Sequence, residues 1–185
     1  MKDEIHNSLS ALESGKVILY PTDTVWGLGC DATNEEAVNT IFKLKNRVAS
    51  KSLIVMVSSI EMLQEYIPFI SEKALEILKS SQNPTTIIYN NPIGLAKNTI
   101  AEDNTVAIRI PDNEFCIQLI KDFNRPIVST SANISGEPTP MSFSEISKRV
   151  LDSVDYVVNL QQDKVSTKSS TILKIEGEDI VVIRE

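Results

Sequence analysis

The chain has one histidine, two cysteines and one tryptophan in 185 residues, and each scarcity closes a route. A Ser/His/Asp relay would have to be built on His6, which stands in a helical pattern near the start and reads as a solvated side chain. Cys30 and Cys116 lie far apart with no CxxC and no histidine beside them, so neither a disulfide framework nor a zinc site is indicated. Small core thiols in a reducing compartment are expected instead. There is no GxxxxGK[ST] and no GxGxxG, which removes the familiar glycine-rich phosphate loops. No apolar run approaches a membrane span, and MKDEIHNSLSALESG lacks the apolar centre of a secretory leader, so a cytoplasmic protein without a membrane partner is expected.

What is present is ordinary globular material. Apolar residues make up 42% and charged residues 23%, and the length suits one domain over residues 1–185. The net charge of −7 argues against coating by nucleic acid, yet the distribution is uneven. From Ala37 to Ile60 there is no acidic residue, and Lys43, Lys45, Arg47 and Lys51 fall in that window. Such a local positive field suits a polyphosphate or a nucleic-acid backbone. Cations at a helix C-terminus account for Lys43 and Lys45 alone.

Ile5, Leu9 and Leu12 predict a helix that stops at Gly15. Val17–Tyr20 reads as a strand ending in Pro21, Thr22, Asp23 and Thr24. Thr33 with Glu36 forms a capping-box pattern for a helix from about Asn34 to about Lys45. Leu53–Val57 is a strand buried on both faces, helical patterns follow around Ile60–Tyr66 and Ser71–Leu78, and Thr85–Tyr89 and Val106–Ile110 are strands. A helix through Phe115, Leu119 and Ile120 leads to a strand at Ile127, and Ser142 with Glu145 marks a further helix carrying Ile146 and Val150. Three β runs close the chain, at Tyr156–Val158, Thr171–Ile175 and Ile180–Ile183. This order predicts a mixed sheet flanked by helices, not a regular doubly wound fold.

The segment RPIVSTSANISGEPTP, residues 125–140, gathers the most chemistry. Behind Ile127 and Val128 come Ser129, Thr130, Ser131, Asn133 and Ser135, a dense uncharged set of donors and acceptors at a strand end. Taken alone it is equally a turn rich in Ser, Asn and Gly. Arg109 lies inside VAIRI, where a charge is costly unless it faces a ligand or a carboxylate, the alternative being an outward-facing arginine on an edge strand. Strand-end hydroxyls (Thr22, Ser129, Ser131, Ser170) and cations (Lys45, Arg47, Arg109, Arg184) therefore predict a concave site without its own nucleophile. Its chemistry has to come from substrates that react with one another, as in nucleotidyl or phosphoryl transfer.

These motifs resemble the YrdC/TsaC family of threonylcarbamoyl-AMP synthases over nearly the whole chain. The resemblance rests on YPTDTVWGLGCDA from Tyr20, the K-x-R of Lys45 and Arg47, LIVMV from Leu53, AIRIP from Ala107, PIVSTSANISGEP from Pro126, SSTIL from Ser169 and the terminal VVIRE. It implies a YrdC-like open twisted mixed sheet around a large positively lined cavity. It also implies synthesis of threonylcarbamoyl-AMP and pyrophosphate from L-threonine, bicarbonate or CO2, and ATP, with Mg2+ on the phosphates. The product feeds tRNA threonylcarbamoyladenosine modification through a downstream threonylcarbamoyl-transferase complex. By matching positions, Thr22, Arg109, Ser129 and Ser170 hold L-threonine, while Lys45, Arg47, Ser131, Asn133, Thr139 and Arg184 hold ATP, with Lys45 and Arg47 offsetting the charge of the reaction.

The chain departs from the family pattern in places. Ser81–Thr86 replaces a Trp-Pro-Gly-Pro-x-Thr segment, Trp26 stands where Tyr is commoner, Ser52 stands where Pro or Gly often precedes the buried strand, and the C-terminal domain of longer members is not expected. Three rival readings are a YciO-like paralogue, which generally lacks the Ser131-x-Asn133 element, the YrdC-like domain of longer hydrogenase maturation proteins, and an RNA-binding module using the Lys43–Lys51 window. With aromatics at 5% and no stacking platform, the sequence gives an RNA module little beyond weak contact.

Overall fold

A computed structural model describes residues 1–46, 53–177 and 179–185. Among these residues nine strands join in one mixed sheet, in the order β7-β1-β2-β6-β3-β5-β4-β8-β9. The strands are β1 Ile18–Tyr20, β2 Gly27–Gly29, β3 Ile54–Met56, β4 Thr85–Asn90, β5 Thr105–Arg109, β6 Ile127–Ser131, β7 Tyr156–Val157, β8 Thr171–Glu176 and β9 Asp179–Arg184. The helices are α1 Lys2–Glu13, α2 Glu35–Lys45, α3 Ile60–Tyr66, α4 Glu72–Ser80, α5 Glu114–Phe123 and α6 Lys148–Leu151. The expected mixed sheet flanked by helices is what forms.

The centre is β3, parallel to β5 on one side and antiparallel to β6 on the other. Leu53, Val55, Met56 and Val57 are buried, as a strand covered on both faces requires. The α1 stripe buries Ile5, Ala11 and Leu12, packs beside α5, and stops where Gly15 takes φ +70. His6 on α1 is exposed.

Several elements differ from the sequence reading. The α2 cap is Asn34, whose side chain accepts from the Glu36 and Ala37 amides, while the Thr33 hydroxyl donates to Asp31 Oδ1 at 2.7 Å. Asp31 wins Thr33 because it is buried and also bound to Arg125, and it needs the donors. The helix expected at Ser142 is a short 3-10 turn, Phe143–Glu145, followed by the single-turn α6 capped by Ser147. The strand β2 went unread because Gly27 and Gly29 weaken a strand signal. Gly29 is required by contact: a Cβ there would lie 2.6 Å from Tyr20 Cε1 and 2.9 Å from the Val128 carbonyl oxygen.

Candidate active site

Strand β6 runs on through Ser131, so Ser129 and Ser131 are strand residues and not the loop they resembled in sequence. Antiparallel pairing sets Gly27 opposite Ser131 and Leu28 opposite Thr130. Without a side chain at Gly27, the β6 hydroxyls border open space. That space is a cavity of about 270 Å³ lined by β2, β3, β5, β6 and the ends of β8 and β9.

Arg109, Ser129, Ser131, Thr139, Ser170 and Arg184 line it, as do Thr24, Trp26, Thr130 and Ser169, which the sequence reading had not assigned to the site. Among the described lining residues there are two guanidiniums and no carboxylate. Trp26 closes one wall and packs on Phe143 with ring centroids 4.8 Å apart.

Three expected residues stand behind the wall. Thr22 is buried, and its Oγ1 donates to the Val25 carbonyl at 2.8 Å and accepts from the Thr24 amide at 3.0 Å, so Thr24 presents the hydroxyl to the cavity. Lys45 is buried at the end of α2, and its Nζ donates to the carbonyl oxygens of Ser131 at 2.5 Å and Asn133 at 2.7 Å, with Asn133 Oδ1 at 3.2 Å. Its ammonium therefore gathers the turn that follows β6. Asn133 Oδ1 also accepts from the Ser131 hydroxyl at 2.6 Å, and its Nδ2 donates to the Glu137 carbonyl at 2.7 Å. The K-x and S-x-N elements thus meet as one hydrogen-bonded unit. Arg47 lies outside the described residues.

The Lys43–Lys51 window does not form a single face where it is described. Lys43 is exposed on α2 while Lys45 is buried under the β6 turn, so Lys45 is not presented to an RNA backbone.

At the opposite wall, Arg109 is 3% exposed and paired with Asp23, whose Oδ1 and Oδ2 lie 2.7 and 2.8 Å from Nη1. Its Nη2 donates to Thr24 Oγ1 at 3.1 Å. Arg184 donates from Nε and Nη2 to the Ser170 carbonyl at 3.2 and 2.7 Å. Burial, and then the neighbouring Arg109 charge, lower the pKa of the Arg184 guanidinium. The Ser170 hydroxyl meets Thr86 Oγ1 at 2.8 Å, which ties β4 to the residue preceding β8. The segment that departs from the family pattern is thereby joined to the site.

Val158–Ser170 connects β7, at one edge of the sheet, to β8 near the other. It is pinned across the Thr22–Thr24 turn: Lys164 Nζ donates to the Thr22 carbonyl at 3.1 Å, the Ser166 hydroxyl to the Thr24 carbonyl, and the Ser166 amide to the Met141 carbonyl at 2.7 Å.

The Sua5/YciO/YrdC family profile, described as telomere recombination, matches residues 10–185. The chain belongs to the Sua5/YciO/YrdC family. Within it, the threonylcarbamoyl-AMP synthase of Psychromonas ingrahamii is 35% identical over 150 residues, covering 80% of this chain and 78% of the relative. The threonylcarbamoyl-AMP synthase of Pseudoalteromonas translucida is 32% identical over 155 residues, covering 82% and 83%. The crystal structure of Pyrococcus abyssi Sua5 complexed with L-threonine superposes with a TM-score of 0.88 at 30% identity, over 97% of this chain and 53% of that one. The chain thus spans about half the length of that Sua5 protein. No helix among the described residues of this family member is long and apolar enough to cross a membrane.

Proposed function

We propose that the cavity makes L-threonylcarbamoyl-AMP and pyrophosphate from L-threonine, bicarbonate or CO2, and ATP, for tRNA threonylcarbamoyladenosine modification. The observation that carries this reading is the wall itself: serine and threonine hydroxyls beside Arg109 and Arg184, with no carboxylate among the described lining residues. Such a wall holds anions, and no carboxylate or imidazole in the described lining stands ready to activate its hydroxyls, so the reacting groups come from the substrates. Relatives named threonylcarbamoyl-AMP synthase, and a Sua5 structure complexed with L-threonine, support it.

In this scheme the threonine amine adds to CO2 with loss of a proton, or condenses with bicarbonate with loss of water, to give a carbamate. A carbamate oxygen attacks the α-phosphorus of ATP, the bond to the β-phosphate oxygen breaks, and pyrophosphate leaves. The reaction is a nucleotidyl transfer. Arg109, with Ser129 and Ser170, takes the threonine carboxylate end; Arg184, Ser131 and Thr139 face the nucleotide. Lys45 shapes the β6 turn by holding its carbonyls, and its charge lies behind the phosphate site; Arg47 adds a second cation. A divalent ion, Mg2+, would draw its ligands from the nucleotide's phosphates and water, since the described lining offers no carboxylate. The product is an activated acyl-adenylate, and its consumer is a threonylcarbamoyl transferase. A reaction that consumes ATP and serves tRNA modification places the proposed enzyme in the cytoplasm.

Pyrophosphate release measured with Mg2+-ATP, omitting L-threonine and bicarbonate in turn, tests the reading. Release should require both and should yield threonylcarbamoyl-AMP by mass. Lys45→Ala should lower kcat/KM by about a hundredfold or more, since the turn carrying Asn133 loses its anchor. Pyrophosphate release without either co-substrate would refute the synthase assignment.

A further inference from the structure

Asp23 bonds Arg109 without facing the cavity. Arg109 lines the 270 Å³ cavity, whereas Asp23 lines a separate pocket of about 420 Å³ together with Lys164, Ile110 and Asp112. The carboxylate therefore approaches the guanidinium from behind. It engages Nη1 through both oxygens, Nη2 donates to Thr24 Oγ1 at 3.1 Å and more distantly to Thr22 Oγ1 at 3.5 Å, and Nε makes no hydrogen bond among the described residues.

We propose that Asp23 is a positioning residue for the amino-acid substrate: it fixes the Arg109 fork so that the Nε and Nη2 edge is offered to a substrate carboxylate. The proposal rests on the synthase reading for the identity of that substrate, L-threonine. It assigns to Asp23 a task that none of the hydroxyls can perform, because only a carboxylate brings two acceptor oxygens that share a full negative charge to the guanidinium.

A different role is conceivable for the same pair, in which Asp23 is a latch that the substrate carboxylate displaces. The frame around Asp23 decides against it. The Pro21 carbonyl accepts from the Cys116 thiol at 3.3 Å, the Thr22 carbonyl from Lys164 at 3.1 Å, and the Thr24 carbonyl from the Ser166 hydroxyl. The loop is braced on both sides of Asp23, which opposes its swinging away. Displacement would also strand a carboxylate that is only 7% exposed, with no second cation bonded to it among the described residues.

Neutralising Arg109 has a second effect on selectivity. Arg184 has no carboxylate partner among the described residues, so of the two cavity guanidiniums it draws a polyphosphate more strongly, and Arg109 is left to a single carboxylate.

The test combines kinetics with a measurement on the unaltered protein. Asp23→Asn and Asp23→Glu should raise the KM for L-threonine roughly ten- to a hundredfold, with kcat and the KM for ATP nearly unchanged. In an Arg109→Lys background, Asp23→Asn should add little, because Asp23 acts through the fork. Equal losses toward threonine and ATP, or a full additional loss in the double variant, would overturn the assignment, and so would a lower KM for threonine, which is the latch outcome. In the parent protein, NMR should show L-threonine shifting the Arg109 Nε–H signal while the Asp23 carboxyl signal stays in place. Movement of the Asp23 signal instead would overturn the proposal without depending on any variant folding. A parent protein that binds L-threonine but never turns over would sink the synthase reading alone. In that case calorimetric affinity replaces KM, and an Asp23→Asn affinity equal to the parent's would overturn the positioning role.

Discussion

Charge without water decides the fate of single residues here. Cys30 and Cys116 are fully buried, and burial pushes both thiols well above their ordinary pKa, with the Asp31 charge adding to the effect at Cys30. A raised pKa keeps the thiol protonated at neutral pH, and the thiolate is the reactive form. Both cysteines should therefore resist alkylation in the folded protein and label fully in denaturant, as counted by intact mass. Labelling of either one under native conditions would contradict their burial. The residue scale is also where the sequence was legible in kind and illegible in partner. A charged residue inside VAIRI demanded a ligand or a carboxylate, and Arg109 has the carboxylate at Asp23. Nothing in the spacing announced that partner, because the two come together only when β5 lies near the β1–β2 turn. Lys45 was equally visible as a cation, yet two of its recipients are main-chain carbonyls, which no side-chain pattern encodes.

Elements were legible wherever one face repeats. Helices α1 to α5 follow apolar periodicity, and their ends fall within a few residues of the capping signals. Where two residues compete for one role, the pattern gave no ruling: Thr33 and Asn34 are both good caps, and Asp31 settled the matter by taking Thr33. Strand β2 shows the reverse problem. Its glycines lower strand propensity, and Gly29 is there because Tyr20 and the Val128 carbonyl leave no room for a Cβ. Gly29→Ala should therefore destabilise the protein by about 1–3 kcal/mol, read as a lower midpoint in urea with an unchanged slope. The Tyr20 ring is wholly buried and has little space into which to retreat. A midpoint equal to that of the parent would mean that β1 and β2 can spread apart at small cost.

At the scale of the molecule, the sheet is well covered at its centre and bare at one end. All six residues of β9 are exposed, with Ile180, Val181, Val182 and Ile183 between 38 and 53% accessible. Its end nevertheless serves the cavity, through Ile183 and Arg184. The site is thus distributed across strands from nearly the whole chain, and the Val158–Ser170 connection ties the far edges together over it. That connection bears on the order of folding. Its ends are fixed only when both margins of the sheet exist, so the loop-closure entropy of the longest crossing is met late. Secondary structure and the β3 centre should form before the cavity does. In refolding from denaturant, the far-ultraviolet signal should return before Trp26 fluorescence, since Trp26 belongs to the cavity wall, and simultaneous recovery would show that sheet and site condense together. A newly made chain would then pass through a stage in which it is already compact and still chemically silent.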